Sequence, residues 1–182
     1  MTMKRAQLIG PVLAMTLLAG CDKADKSPKS MDEAKQEATQ LERPKPGLYK
    51  QQMTISKFEI PGAPPEMAAQ LQAAMTKAQE HSFCMTKEMS DKGFQDMFDK
   101  VGKQGECTYD RFDVSGGKID AALKCQNATE GTGLITIAGT VGEEGSDVTV
   151  SVDQQGGKPP MDNTKIAMHV VSQRVGDCPA GG

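Results

Sequence analysis

Residues 107–125, CTYDRFDVSGGKIDAALKC, constrain the fold of this chain more than any other stretch. Two cysteines close a run whose middle, Ser115-Gly116-Gly117, has the composition of a tight turn. A three-residue loop there predicts a hairpin with Val114 opposite Lys118. The same register sets Tyr109 against Leu123, Arg111 against Ala121, Asp113 against Ile119 and Cys107 against Cys125. Directly opposed residues lie about 4.5–5.5 Å apart, within disulfide range. A two-residue turn would move the register by one, bring Cys107 opposite Lys124 and strain the bridge.

The chain has five cysteines among 182 residues. With Cys107 and Cys125 paired and Cys21 set aside for the reason given below, Cys84 and Cys178 remain as a second bridge by exclusion. A redox or metal pair is the alternative for them, but the chain has no CxxC motif. The flanking sequence is strand-rich. GLITIAGTV and SDVTVSVD flank GEEG, and a hairpin there sets Ile135 against Val152 and Ile137 against Val150, with apolar faces in agreement. NTKIAMHVVSQRV reads as a last strand, and GLYKQQMTISKFEI as a first. After the first strand, PPEMAAQLQAAMTKAQ has helical spacing at Met67, Leu71 and Met75, and KEMSDKGFQDMFDKV reads as a second, weaker helix. The expected fold is α+β. It is an antiparallel meander of about six strands, a curved sheet or partial barrel, with two short helices inserted after the first strand.

The N-terminus has a different character. A basic start, Met1 to Arg5, precedes an apolar stretch from Leu8 to Ala19 that is too short to span a membrane. It ends in Leu18-Ala19-Gly20-Cys21, which resembles the lipobox of bacterial lipoproteins. That resemblance implies a signal peptide over 1–20, cleavage before Cys21 and lipid attachment (palmitate among the acyl groups) at Cys21. Asp22 resembles an inner-membrane retention signal and Lys23 weakens it, so which membrane is left open. Residues 21–46 are rich in Lys, Asp, Glu, Ser and Pro and read as a flexible tether reaching roughly 25–30 Å. MDEAKQEATQLE within it has the composition of a transient solvated helix. One domain over 47–178 and a tail at 179–182 complete the chain.

No catalytic, metal or cofactor constellation emerges. His81 and His169 are the sole histidines, 88 positions apart, and neither lies in a Ser/His/Asp or His/Cys cluster of the kind that catalysis or metal binding needs. Glu143 and Glu144 read as a solvated hairpin tip without a base partner. Methionines such as Met85 and Met89, one helical turn apart near His81, could ligate Cu(I), yet their spacing is that of core residues. The formal charge of −3, the absence of Trp and the presence of two Tyr argue against a nucleic-acid partner.

Pro46-Gly47-Leu48-Tyr49, Cys84-Met85-Thr86, the Cys107–Cys125 hairpin, GTGLITIAGT and Gly176-Asp177-Cys178 occur in this order. Together they resemble a family of small exported proteobacterial proteins known as a domain of unknown function, over about residues 44 to 178. The family's usual opening has Trp where this chain has Tyr49. The resemblance implies no activity. The reading from sequence is therefore a non-enzymatic, lipid-anchored module facing the periplasm, held to the membrane through Cys21, which binds an apolar ligand or an envelope protein. An unrecognised envelope hydrolase and methionine-based copper handling are the alternatives.

Overall fold

The computed structural model describes residues 28–75, 78–102, 106–127, 131–156, 159 and 163–179. The signal peptide expected over 1–20, Cys21 and residues 180–182 lie outside them. Seven antiparallel strands form one open sheet: β1 (Gly47–Glu59), β2 (Gln79–Met85), β3 (Glu106–Ser115), β4 (Lys118–Asn127), β5 (Gly131–Gly142), β6 (Gly145–Gln155) and β7 (Asn163–Gly176). Their spatial order is β2-β1-β7-β6-β5-β4-β3. The count exceeds the expected six because QEHSFCM is a full edge strand paired to β1. Among the described residues the helices are α1 (Met31–Ala38), α2 (Pro65–Met75), α3 (Lys87–Lys92) and α4 (Gln95–Gly102). Only α2 follows the first strand directly. The second expected helix is two, because Gly93, at φ 56°, turns the chain between α3 and α4.

The hairpin register differs from the expectation in an instructive way. The turn has two residues, Gly116 and Gly117, both at positive φ (55° and 75°), and Ser115 pairs with Lys118. This is a primed turn, whose twist suits adjoining strands. Cys107 nevertheless faces Cys125, because the ladder shifts by one residue between Tyr109 and Arg111. Asp110 is the extra residue of a β-bulge. The bulge also corrects the faces. In an unbroken strand Arg111 and Asp113 would share the apolar side with Tyr109. With the bulge, Tyr109, Phe112 and Val114 are all buried, and Arg111 turns outward to Asp120 at 2.7 Å. β1 repeats the device: a shift between Ile55 and Lys57 buries both Ile55 and Phe58. The β5–β6 hairpin has the expected pairs, Ile135 with Val152 and Ile137 with Val150.

Within the tether expected over 21–46, the described residues from Lys29 onward are ordered and pack on the sheet, so folded structure is present before residue 47. Ser30 caps α1 in a reciprocal capping box with Glu33. Ala34, Ala38 and Leu41 are at most 5% exposed and join Phe98, Tyr109 and Phe112 in the larger core. The same segment seals the outer edge of β3. Lys29 exchanges backbone hydrogen bonds with Tyr109, its Nζ donates to the Phe112 carbonyl (2.6 Å) and pairs with Glu37, and Glu37 accepts from the Val114 amide (3.3 Å). Unpaired edge groups invite foreign strands, and here they have partners. A second, smaller core lies at the other flank, where Leu71 and Met75 of α2 pack on Ile55, Phe58 and Ile60.

Candidate functional site

One sheet face carries both cores, and its centre belongs to neither. Val148 and Ile137 border the first cluster and Ile166 and Met168 the second, while Val150 and Val152, between them on β6, are only half-buried. The helices that contact strands do so at β1 and β3, the flanks of the sheet. This arrangement leaves an apolar cavity of about 280 Å³. Its floor is Ile119, Ile137, Val148 and Val150; its roof is Leu41, Pro44, Phe94 and Met97; Tyr49, Phe83 and Met85 form a wall. Tyr49 and Phe83 are paired across β1 and β2 and stack with centroids 5.6 Å apart.

The lining offers little to a polar guest. The Tyr49 hydroxyl is directed at the carbonyls of Lys45 (2.8 Å) and Glu143 (3.0 Å), which commits its proton. Burial raises the Tyr49 pKa above that of free tyrosine, and nearby Arg174 works against the rise. Ser172 accepts from Gln51 at 3.0 Å. No charged residue lines the cavity. Charges gather at one end, beside the β5–β6 turn. There Lys45 sits 2.6 Å from Glu143 and 3.6 Å from Glu144, so this pair does have the base partner that sequence distance concealed. The two carboxylates raise the Lys45 pKa, through the Glu143 hydrogen bond first.

Adjoining that end, three segments far apart in sequence meet at one corner. Leu48 pairs with Cys84 on one side and Gly176 on the other, and Cys178 comes within disulfide distance of Cys84, with Cα atoms 5.5 Å apart. Cys107 and Cys125 are likewise at disulfide distance, with Cα atoms 4.1 Å apart. Arg174 locks the corner: its Nε donates to the Pro46 carbonyl (2.8 Å), its guanidinium pairs with Asp177, and its amide donates to Glu144 (2.8 Å). Gly47, at φ 150°, lies against the Arg174 side chain, where a Cβ would collide.

The titratable candidates do not assemble into a catalytic group. His169 lies 2.6 Å from Asp147, a contact that the sequence separation of 22 hid from the sequence reading, but the pair is exposed on the opposite sheet face, away from the cavity. His81 is exposed on β2 and tilts against Phe83. Met67, Met89 and Met97 are 45%, 44% and 37% exposed, contrary to the expectation that such methionines fill the core. Among the described residues no group of three or more His, Cys, Asp or Glu converges on a metal-sized site, and no helix is long and apolar enough to cross a membrane.

A family model described as "Protein of unknown function (DUF3617)" matches residues 44–178. The chain belongs to this family. The match covers all seven strands and the three later helices, and leaves α1, which completes the larger core, outside its boundary. No curated protein matches the chain, and no solved structure does. The DUF3617 segment contains all three strands of sequence that meet at the Cys84–Cys178 corner.

Proposed function

We propose that this DUF3617 protein is a lipid-anchored module of the bacterial envelope that faces the periplasm and binds an apolar guest without chemical turnover. The observation that carries the binding reading is the cavity: strands, α4 and the segment after α1 converge on a space lined by aliphatic, aromatic and thioether side chains, with the Tyr49 hydroxyl committed to backbone carbonyls and no charged residue in the lining. Sites of this kind are the usual places for small apolar ligands, and at about 280 Å³ the space is roughly twice that of an engineered apolar cavity that takes up benzene. Methionine at the rim supplies an adaptable contact surface. The anchoring reading rests on Leu18-Ala19-Gly20-Cys21 after an apolar run, and on the cysteine pairs, which suit an oxidising compartment.

Two measurements on the same preparation test the two parts. Cells making the natural chain are labelled with radioactive palmitate and fractionated beside the Cys21→Ser variant. Label in the natural chain alone, with loss of membrane retention in the variant, is expected; equal retention would overturn anchoring. Purified Cys21→Ser protein is titrated with the environment-sensitive dye N-phenyl-1-naphthylamine. Saturable fluorescence that Ile137→Trp abolishes, with the melting transition kept, is expected; no saturable signal would overturn the binding reading.

A further inference from the structure

We infer that the cavity is the entrance of a longer site for one unbranched acyl chain of a zwitterionic phospholipid, with its headgroup at the β5–β6 turn and its tail along β6. This deepens the apolar-guest reading and rests on it. The first argument is the course of the apolar surface. Along β6 the side chains on the cavity face run Ser146, Val148, Val150, Val152 and Gln154. Polar residues bound an apolar strip, and the strip continues past the cavity proper between the two cores, where Val152 is flanked by Ile135 and Ile166. Cavity and strip together make an apolar channel that is elongated along β6 and bordered on its two sides by the packed clusters, a shape that suits a chain.

Dimensions follow from strand geometry. Six residues separate Ser146 from Val152, about 20 Å at ~3.4 Å per residue. With carbon–carbon bonds of ~1.5 Å, an extended chain advances about 1.3 Å per methylene, so the channel takes about 16 carbons. The enclosed part, about 280 Å³, holds roughly nine groups the size of a methylene at ~30 Å³ each.

The second argument is the charge at the ends. The far end carries uncharged Gln154. At the near end Glu42, Glu143 and Glu144 stand with Lys45, and Arg174 is engaged by Asp177. A rim with both signs and a net negative charge complements a headgroup that also bears both signs, with its ammonium toward the glutamates. A free fatty acid would bring its carboxylate to Lys45, which the two glutamates already hold. The Tyr49 hydroxyl is already committed to backbone carbonyls and no charged residue lines the cavity, which disfavours guests whose charged groups must enter the channel, since an unpartnered buried charge is costly.

The test uses the Cys21→Ser chain and competition for bound N-phenyl-1-naphthylamine. Lysophosphatidylethanolamines of 8 to 18 carbons, below their micellar concentrations, are compared with fatty acids of equal length and with pyrene. Affinity should rise about fourfold per methylene, the worth of one buried CH₂, and level off near 16 carbons. Val152→Trp should bring the plateau to a shorter chain while leaving the 8-carbon affinity within twofold, a result that requires folded protein. Fatty acids should bind at least tenfold more weakly, and Glu143→Gln with Glu144→Gln should narrow that gap. Dye binding without competition by any chain, or preferential competition by pyrene, would overturn the acyl assignment and leave the apolar-guest reading standing. Fatty acids binding as well as the zwitterionic lipids would overturn the source. Absence of dye binding would overturn both readings.

Discussion

Removing single residues from β3 separates the role of the bulge from that of the strand. If Asp110 is an insertion that the ladder accommodates, deleting it joins two pairs that already exist, Tyr109 with Leu123 and Arg111 with Ala122, into a regular ladder. Every side chain keeps its face and Cys107 stays opposite Cys125. The change in stability should be within about 1 kcal/mol, the worth of one ladder hydrogen bond. Deleting Thr108 is one residue shorter in the same strand but lies beyond the bulge, between Tyr109 and Cys107. It turns Cys107 to the solvent face opposite Lys124. The bridge, which closes a loop of 18 residues, should then be lost, at a cost of about 3 kcal/mol in the loop-entropy account. With a urea m-value of about 1–3 kcal/mol/M, the two deletions should differ by about 1–3 M in midpoint. Thiol titration in denaturant without reductant should find two more free thiols in the Thr108 deletion than in the Asp110 deletion. If the Asp110 deletion frees the same thiols or falls to the same midpoint, the bulge is not what brings the cysteines into register.

Gly47→Ala should lower the melting temperature clearly, because the added methyl meets the Arg174 side chain and the Gly176 carbonyl at a φ of 150°; an unchanged melt would show that the corner is loose. Ala34→Leu should cost about 1–3 kcal/mol in urea titrations by overpacking a residue with 0% exposure, whereas the same change in a flexible tether would cost nothing. Burial pushes the Tyr109 pKa to about 12. The folded state therefore keeps its proton where the unfolded chain, near 10, has lost it, and stability present below pH 10 is lost as pH rises toward 12. Tyr109→Phe should flatten that alkaline decline between about pH 10 and 12.

The sequence disclosed most where two signals agreed. In the β5–β6 hairpin, glycine composition and apolar alternation chose one register, and the structure has it. In β3 they disagreed, and the disagreement was the signal: apolar residues at 109, 112 and 114 step by three and then two, the spacing of a bulge. The helix at Met31–Ala38 was also written in the chain. Ser30 and Glu33 form a capping-box pattern, and Ala34, Ala38 and Leu41 fall on one face, but small apolar residues in a polar stretch weigh little in composition. The cavity was less accessible. Its lining comes from six strands, α4 and the segment after α1, and whether a half-buried valine faces a helix or a void depends on what packs above it. Charge pairs across long separations, Lys45 with Glu143 and His169 with Asp147, have no local pattern at all.

The position of β7 determines when the protein can finish folding. The last strand of the chain lies in the middle of the sheet, between β6 and β1. Until Asn163–Gly176 has been delivered, β1 with β2 and the meander from β3 to β6 are two separate sheets, each with an open inner edge. A chain synthesised from its N-terminal side therefore joins its two part-sheets only when Asn163–Gly176 arrives. The Cys84–Cys178 contact, made by the residue two beyond that strand, would latch the completed order.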